Sequence, residues 1–137
     1  MAWLPRSRED ADLRYSATMI RRLCVVACVL ALGAGGVGAH AILDRTDPRA
    51  GGSVKVTPTQ VRLWFTGALE PAYSRVHVLD AAGKRADLGD GGVDDGNRAL
   101  LRVSVPPLAP GTYRVVWHVL SVDSHVTEGQ FSFGVQR

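Results

Sequence analysis

A histidine that begins a chain is a two-point ligand. Its α-amine and its imidazole Nδ1 can close one chelate ring on a single metal ion. An α-amine ionises near pH 8 and an imidazole near pH 6.5, so both lose their protons readily around neutrality. His40 stands where such a start would be made, directly after a segment that reads as a removable leader. A second imidazole brings the set to three nitrogens, and nitrogen and oxygen ligands in a tetragonal plane are diagnostic for Cu(II). Asp123-Ser124-His125 offers that second half, since residues two apart in an extended segment face the same side. Alone, the triplet reads as two turn residues and a surface histidine. Beside a freed His40, it reads as one imidazole and one carboxylate aimed at a common ion.

The leader carries the weight of that argument. Arg21-Arg22 precede the apolar run Leu23 to Leu32, and small residues follow from Gly33 to Ala39. A basic stretch, a short apolar run and small residues before a cut describe a secretory signal peptide. The apolar run falls short of the roughly 20 residues that a membrane-spanning helix needs. Val37 and Ala39 are small residues placed for cleavage after Ala39, which leaves His40 first. No cysteine sits at the junction, so a lipoprotein is excluded. The stretch 1–18 is polar and mixed in charge, unlike a signal start, and reads as an extension preceding a true start at Met19. The expectation is a signal peptide over 1–39 and one domain over 40–137, in a periplasmic or otherwise extracytoplasmic protein.

Removing the leader changes what the composition allows. The whole chain of 137 residues has a formal net charge of +3, but residues 40–137 hold 11 Lys/Arg against 10 Asp/Glu, a net charge of +1. That is no electrostatic footprint for nucleic acid. Cys24 and Cys28 both lie in the leader, so the remaining 98 residues offer no disulfide, zinc-thiolate site or iron–sulfur cluster. Met1 and Met19 are lost as well, and with them the soft sulfur ligands that a tight Cu(I) site requires.

The elements that must position His40, Asp123 and His125 are strands. Apolar residues alternate at Val61, Leu63 and Phe65; at Val76 and Val78; at Leu101, Val103 and Val105; at Tyr113, Val115, Trp117 and Val119; and at Phe131, Phe133 and Val135. Turn signals separate these runs, among them Asp47-Pro48, Gly51-Gly52, Ala82-Gly83 and Pro110-Gly111. Short strands at this spacing predict an all-β sandwich or small barrel. Asp87 to Asn97 reads as a polar, glycine-rich hairpin loop. Asp90, Asp94 and Asp95 do not meet the calcium-loop pattern, so this loop is expected to be a solvated turn.

Larger patterns span the whole of 40–137. They are a histidine directly after the leader, the D-P…G opening, an L-x-F strand followed by E-P, P-G-T-Y-x-V-x-W, and S-x-D-x-H followed by G-x-F-x-F-x-V. In these features the chain resembles the CopC family of exported copper-binding proteins, which includes PcoC. The resemblance implies a Greek-key β-sandwich or barrel, immunoglobulin-like and cupredoxin-like, with a Cu(II) site near one end. It implies His40, through amine and imidazole, with Asp123 and His125 as ligands, Asp123 being the weaker. It further implies a monomeric carrier or buffer in copper resistance or homeostasis, not an enzyme, with a membrane copper transporter of the CopD type as partner. Two features depart from part of the family. The methionine-rich loop of the Cu(I)-binding members has no counterpart here, and no apolar span follows His40.

Other residues are read more plainly. His77 falls on the polar face of a strand, and His118 lies opposite the Tyr113–Trp117 core face as a surface histidine. Glu70, before Pro71, matches a recurrent acidic position of the family and is a candidate to orient a ligand by hydrogen bonding. Two other functions share some of these features. An N-terminal-histidine copper monooxygenase would use the same amine and imidazole, but Asp123 would fill the position that oxygen activation needs open. A plain immunoglobulin-like interaction module would leave the histidines incidental.

Overall fold

The structure is a computed structural model and describes residues 40–137; the expected leader and its cut after Ala39 lie outside the described residues. The described strands are β1 (Leu43–Asp47), β2 (Ser53–Val54), β3 (Gln60–Phe65), β4 (Arg75–Leu79), β5 (Gly92–Val93), β6 (Leu100–Ser104), β7 (Gly111–Leu120) and β8 (Val126–Val135). A 3-10 turn, Pro71–Tyr73, precedes β4. Alternation does what it predicts. In β3, Val61, Leu63 and Phe65 are buried while Gln60, Arg62 and Trp64 take the other face. In β7, Tyr113, Val115, Trp117 and Val119 face inward between exposed or half-buried partners. Among the described residues, no helix is long and apolar enough to cross a membrane.

Two four-stranded sheets result, ordered β1-β3-β6-β5 and β2-β8-β7-β4. All pairings are antiparallel except β2 with β8. Leu63, Leu101 and Val103 of the first sheet and Val76, Val78, Val115 and Phe133 of the second form the core. Phe65 meets Trp117 edge to face across it, with ring centroids 5.2 Å apart. Of the expected sandwich or barrel, the sandwich is what forms. A closed barrel is absent among the described residues because the chain changes sheet by a turn where closure would need a ladder. β1 ends on the edge of one sheet and β2 starts on the edge of the other. Between them, Gly51 takes φ +73°, a conformation open to glycine. Its N–H donates to the Ser132 carbonyl at 2.8 Å, which fastens the turn to β8.

The stretch from Asp87 to Asn97 differs from the expected solvated hairpin. It joins β4 of one sheet to β6 of the other and contributes β5, paired to β6 through Gly92↔Arg102 and Val93↔Leu101. Its aspartates hold the crossing in place. The Asp87 side chain is fully buried, accepting from the Val78 and Gly89 N–H groups and from Arg85. Asp90 accepts the Ser104 N–H, and Asp94 binds Arg102 at 2.6 Å. Composition marks these residues as solvated; the long-range pairing that recruits them is not a local property.

Candidate metal centre

The β7–β8 hairpin presents the candidate ligands at its tip. Its register runs to Leu120↔Val126, and residues 121–125 make the turn. The Ser121 N–H donates to the His125 carbonyl, and the Ser124 N–H donates back to the Ser121 carbonyl, each at 2.9 Å. Ser124 closes the turn with φ +70°, in the left-handed region that residues other than glycine rarely occupy. The sequence argument assumed an extended segment that points Asp123 and His125 the same way. The structure brings them together by a tight turn instead, with the His125 Nδ1 3.3 Å from Asp123 Oδ1.

His40 reaches this tip from the other end of the chain, and two threonines hold it there. Thr66 Oγ1 donates to the His40 carbonyl and accepts the Ile42 N–H, both at 3.0 Å. Thr127 Oγ1 donates to the Ala41 carbonyl at 3.0 Å, while the Ala41 side chain is buried in the core. These bonds tie the strand entry to β8 and to the loop after β3. His40 Nδ1 consequently lies 3.8 Å from Asp123 Oδ2, and its ring packs edge to face on His125 with centroids 4.0 Å apart.

His40, Asp123 and His125 each offer one ligand atom, all within 4.8 Å of one another. Two donors on one ion stand at most about 4 Å apart when metal–nitrogen bonds are about 2 Å. The three therefore need only small side-chain adjustments to share an ion. Asp123 is prepared for this. The Ser121 hydroxyl, against the opposing pull of partial desolvation, and behind it the His125 N–H and imidazole, hold its carboxyl below the ordinary carboxylate range. The group is thus ionised at neutral pH. Its Oδ2 is a buried atom without a hydrogen-bond partner among the described residues, which is what a ligand atom facing a cation site looks like. The two histidine side chains are about half exposed (53% and 55%), so an ion here would be reachable from solvent.

The remaining sequence candidates lie elsewhere or act otherwise. Glu70 pairs with Arg98, Oε2 to NH2 at 3.4 Å, and no hydrogen bond joins it to His40, Asp123 or His125. His118 is on the outer face of β7, 3.4 Å from Glu128. His77 is half-buried on the outer face of β4. The residue that does hold a candidate ligand, Ser121, carried no assigned role in the sequence, although it opens the S-x-D-x-H pattern. Thr66 and Thr127 had no sequence signal at all, because their partners lie 26 and 86 residues away.

Comparison with known proteins agrees with the fold. A family model described as the CopC domain matches residues 43–136. Protein YobA of Escherichia coli strain K12 is 32% identical over 101 residues, covering 73% of this chain and 82% of that protein. Copper resistance protein C of Xanthomonas campestris pv. juglandis is 29% identical over 124 residues, covering 82% of this chain and 92% of that protein. The crystal structure of CopC from Methylosinus trichosporium OB3b aligns with a TM-score of 0.66 and 36% identity, over 71% of this chain and 94% of that one. Match, identity and superposition together establish that this chain belongs to the CopC family.

Proposed function

We propose that this protein binds one Cu(II) ion outside the cytoplasm and carries or buffers it in copper resistance or homeostasis. The observation that carries the proposal is the convergence of His40, Asp123 and His125, with Asp123 Oδ2 left unpartnered between them. Membership of a family of copper resistance and transport proteins supports the cargo, and that family is not one of enzymes, so the monooxygenase reading falls. Two nitrogens and a carboxylate oxygen, joined by the amine that cleavage after Ala39 would free, are a donor set suited to Cu(II). Residues 40–137 contain no methionine or cysteine to hold Cu(I) by sulfur. Exposure of the ligands supports a cargo rather than a structural role, because ligand exchange with a partner needs access. We assign that partner to a membrane copper transporter of the CopD type. Exposed Val122 and Val126 flank Asp123 and His125, and exposed Ile42 follows His40, giving an apolar rim for such a contact.

Competition titration of the cleaved protein tests the reading. One equivalent of Cu(II) is expected to bind tightly, Cu(I) weakly, and the Cu(II) site to vanish in His40→Ala. Tight Cu(I) binding, or Cu(II) binding indifferent to His40, would overturn it.

A further inference from the structure

The two oxygens of Asp123 live in different surroundings, and one buried hydroxyl makes the difference. Ser121 is 1% exposed, beneath the turn. Its Oγ has two acceptors in reach of its one proton, Asp123 Oδ1 and the His125 carbonyl at 3.0 Å, and accepts the His125 N–H at 3.3 Å. The His125 N–H also lies 3.4 Å from the same Oδ1, and the His125 imidazole lies on that side too. Oδ1 is thus occupied by the turn's own donors. Oδ2 faces His40 Nδ1 at 3.8 Å and has no hydrogen-bond partner among the described residues. A free carboxylate can grip a cation with both oxygens; this one has a single oxygen to give.

We infer that Ser121 is a positioning residue which restricts Asp123 to one-oxygen ligation through Oδ2, and so favours Cu(II) over ions of looser geometry at this site. The inference rests on the copper-binding reading above and specifies how the site selects its ion. Cu(II) prefers a tetragonal plane, into which a two-oxygen carboxylate fits poorly. Zn(II) has no geometric preference from its d-electrons and tolerates either mode. Without the hydroxyl, Asp123 can turn and offer both oxygens. Cu(II) then loses its planar fit while Zn(II) loses little. Because Ser121 touches no ion itself, its whole effect must pass through Asp123.

A double-mutant cycle on the cleaved protein decides it, with Cu(II) and Zn(II) competition titrations and the Cu(II) electron paramagnetic resonance spectrum as readouts. Ser121→Ala is expected to weaken Cu(II) by up to about tenfold, the low end of the range for groups that orient metal ligands and no more than the loss of Asp123 itself. Zn(II) should weaken by less than about threefold, and the parallel hyperfine splitting of Cu(II) should shift. Ser121→Thr, which keeps the hydroxyl, should restore the wild-type spectrum. In an Asp123→Ala background, Ser121→Ala should have no further effect. Equal losses for both metals, an unchanged spectrum, or an undiminished effect of Ser121→Ala in the Asp123→Ala background would overturn the assignment. Asp123→Glu gives an independent arm should Ser121→Ala fail to fold. Its longer side chain carries the carboxylate past Ser121, so the same loss of Cu(II) preference is expected, and a retained preference would overturn the inference. Failure of the wild-type protein to bind Cu(II) at all would instead overturn the copper reading itself.

Discussion

At the scale of the residue, the three candidate ligands are unequal. As a ligand, His125 would supply an imidazole nitrogen, a stronger donor to Cu(II) than a carboxylate oxygen. Asp123 would supply an oxygen whose partner oxygen faces the Ser121 hydroxyl and the His125 N–H. Asp123→Ala is therefore expected to weaken Cu(II) by about tenfold, and His125→Ala by about 100-fold or more, since even groups that merely orient metal ligands act over that range. Titration of both variants against one competitor checks the order, and equal losses would mean that Asp123 is as strong a ligand as the imidazole. The types of these residues were legible before any fold was known: a histidine placed for release and a carboxylate two positions before an imidazole. What was not legible is the support beneath them. Ser121 reads as any turn serine until its hydroxyl is buried against Asp123. Thr66 and Thr127 acquire meaning only when the fold brings them to the His40 and Ala41 carbonyls. Glu70, a candidate to orient a ligand, pairs its carboxylate with Arg98.

At the scale of the element, β3, β4, β6, β7 and β8 were written in the alternation, because each has one face in the core. β1, β2 and β5 were not. β1 is a charged edge strand without a fully buried residue, and the other two have two residues each, too few to show a period. Such edges are held by neighbours and by polar clamps, so their stability is open to pH. Asp87 is the clearest case. Burial raises its carboxyl's pKa, but the Arg85 guanidinium and the Val78 and Gly89 N–H groups outweigh it, holding the value below normal. A group whose pKa is depressed by folding contributes stability above its unfolded value, near 3.9, and loses it as pH falls through the folded value. Asp87→Asn is expected to cost about 1–3 kcal/mol at neutral pH by mismatching buried donors. It should also flatten the decline in stability below about pH 4. Denaturant unfolding across that range measures both, and a variant whose acid decline matches the parent's would show that Asp87 does not contribute to it.

At the scale of the whole molecule, the fold itself brings the candidate ligands together. The hairpin tip is fixed by its own backbone bonds, and the chain entry is fixed by Thr66, Thr127 and the buried Ala41. Those anchors use the carbonyls of His40 and Ala41 and the N–H of Ile42, and leave the His40 nitrogen out of the framework. Among the described residues, the bonds that hold the chain entry do not use that nitrogen, whereas the proposed chemistry does. With Ala39 attached, the nitrogen is an amide and no basic donor; with Ala39 removed, it is an amine that closes a chelate ring with the His40 imidazole. Two proteins, one beginning at Ala39 and one at His40, are therefore expected to unfold at the same temperature without metal. With Cu(II) they should separate. A loss of about 100-fold in affinity removes about 2.7 kcal/mol of ligand-linked stabilisation when the metal is in excess. For a domain of this size that corresponds to a difference of roughly 10–20 °C in Tm. Thermal unfolding of the pair, with and without excess Cu(II), provides the comparison. Equal stabilisation of both by Cu(II) would show that the amine of His40 is not a ligand, and that export and cleavage do not create the site.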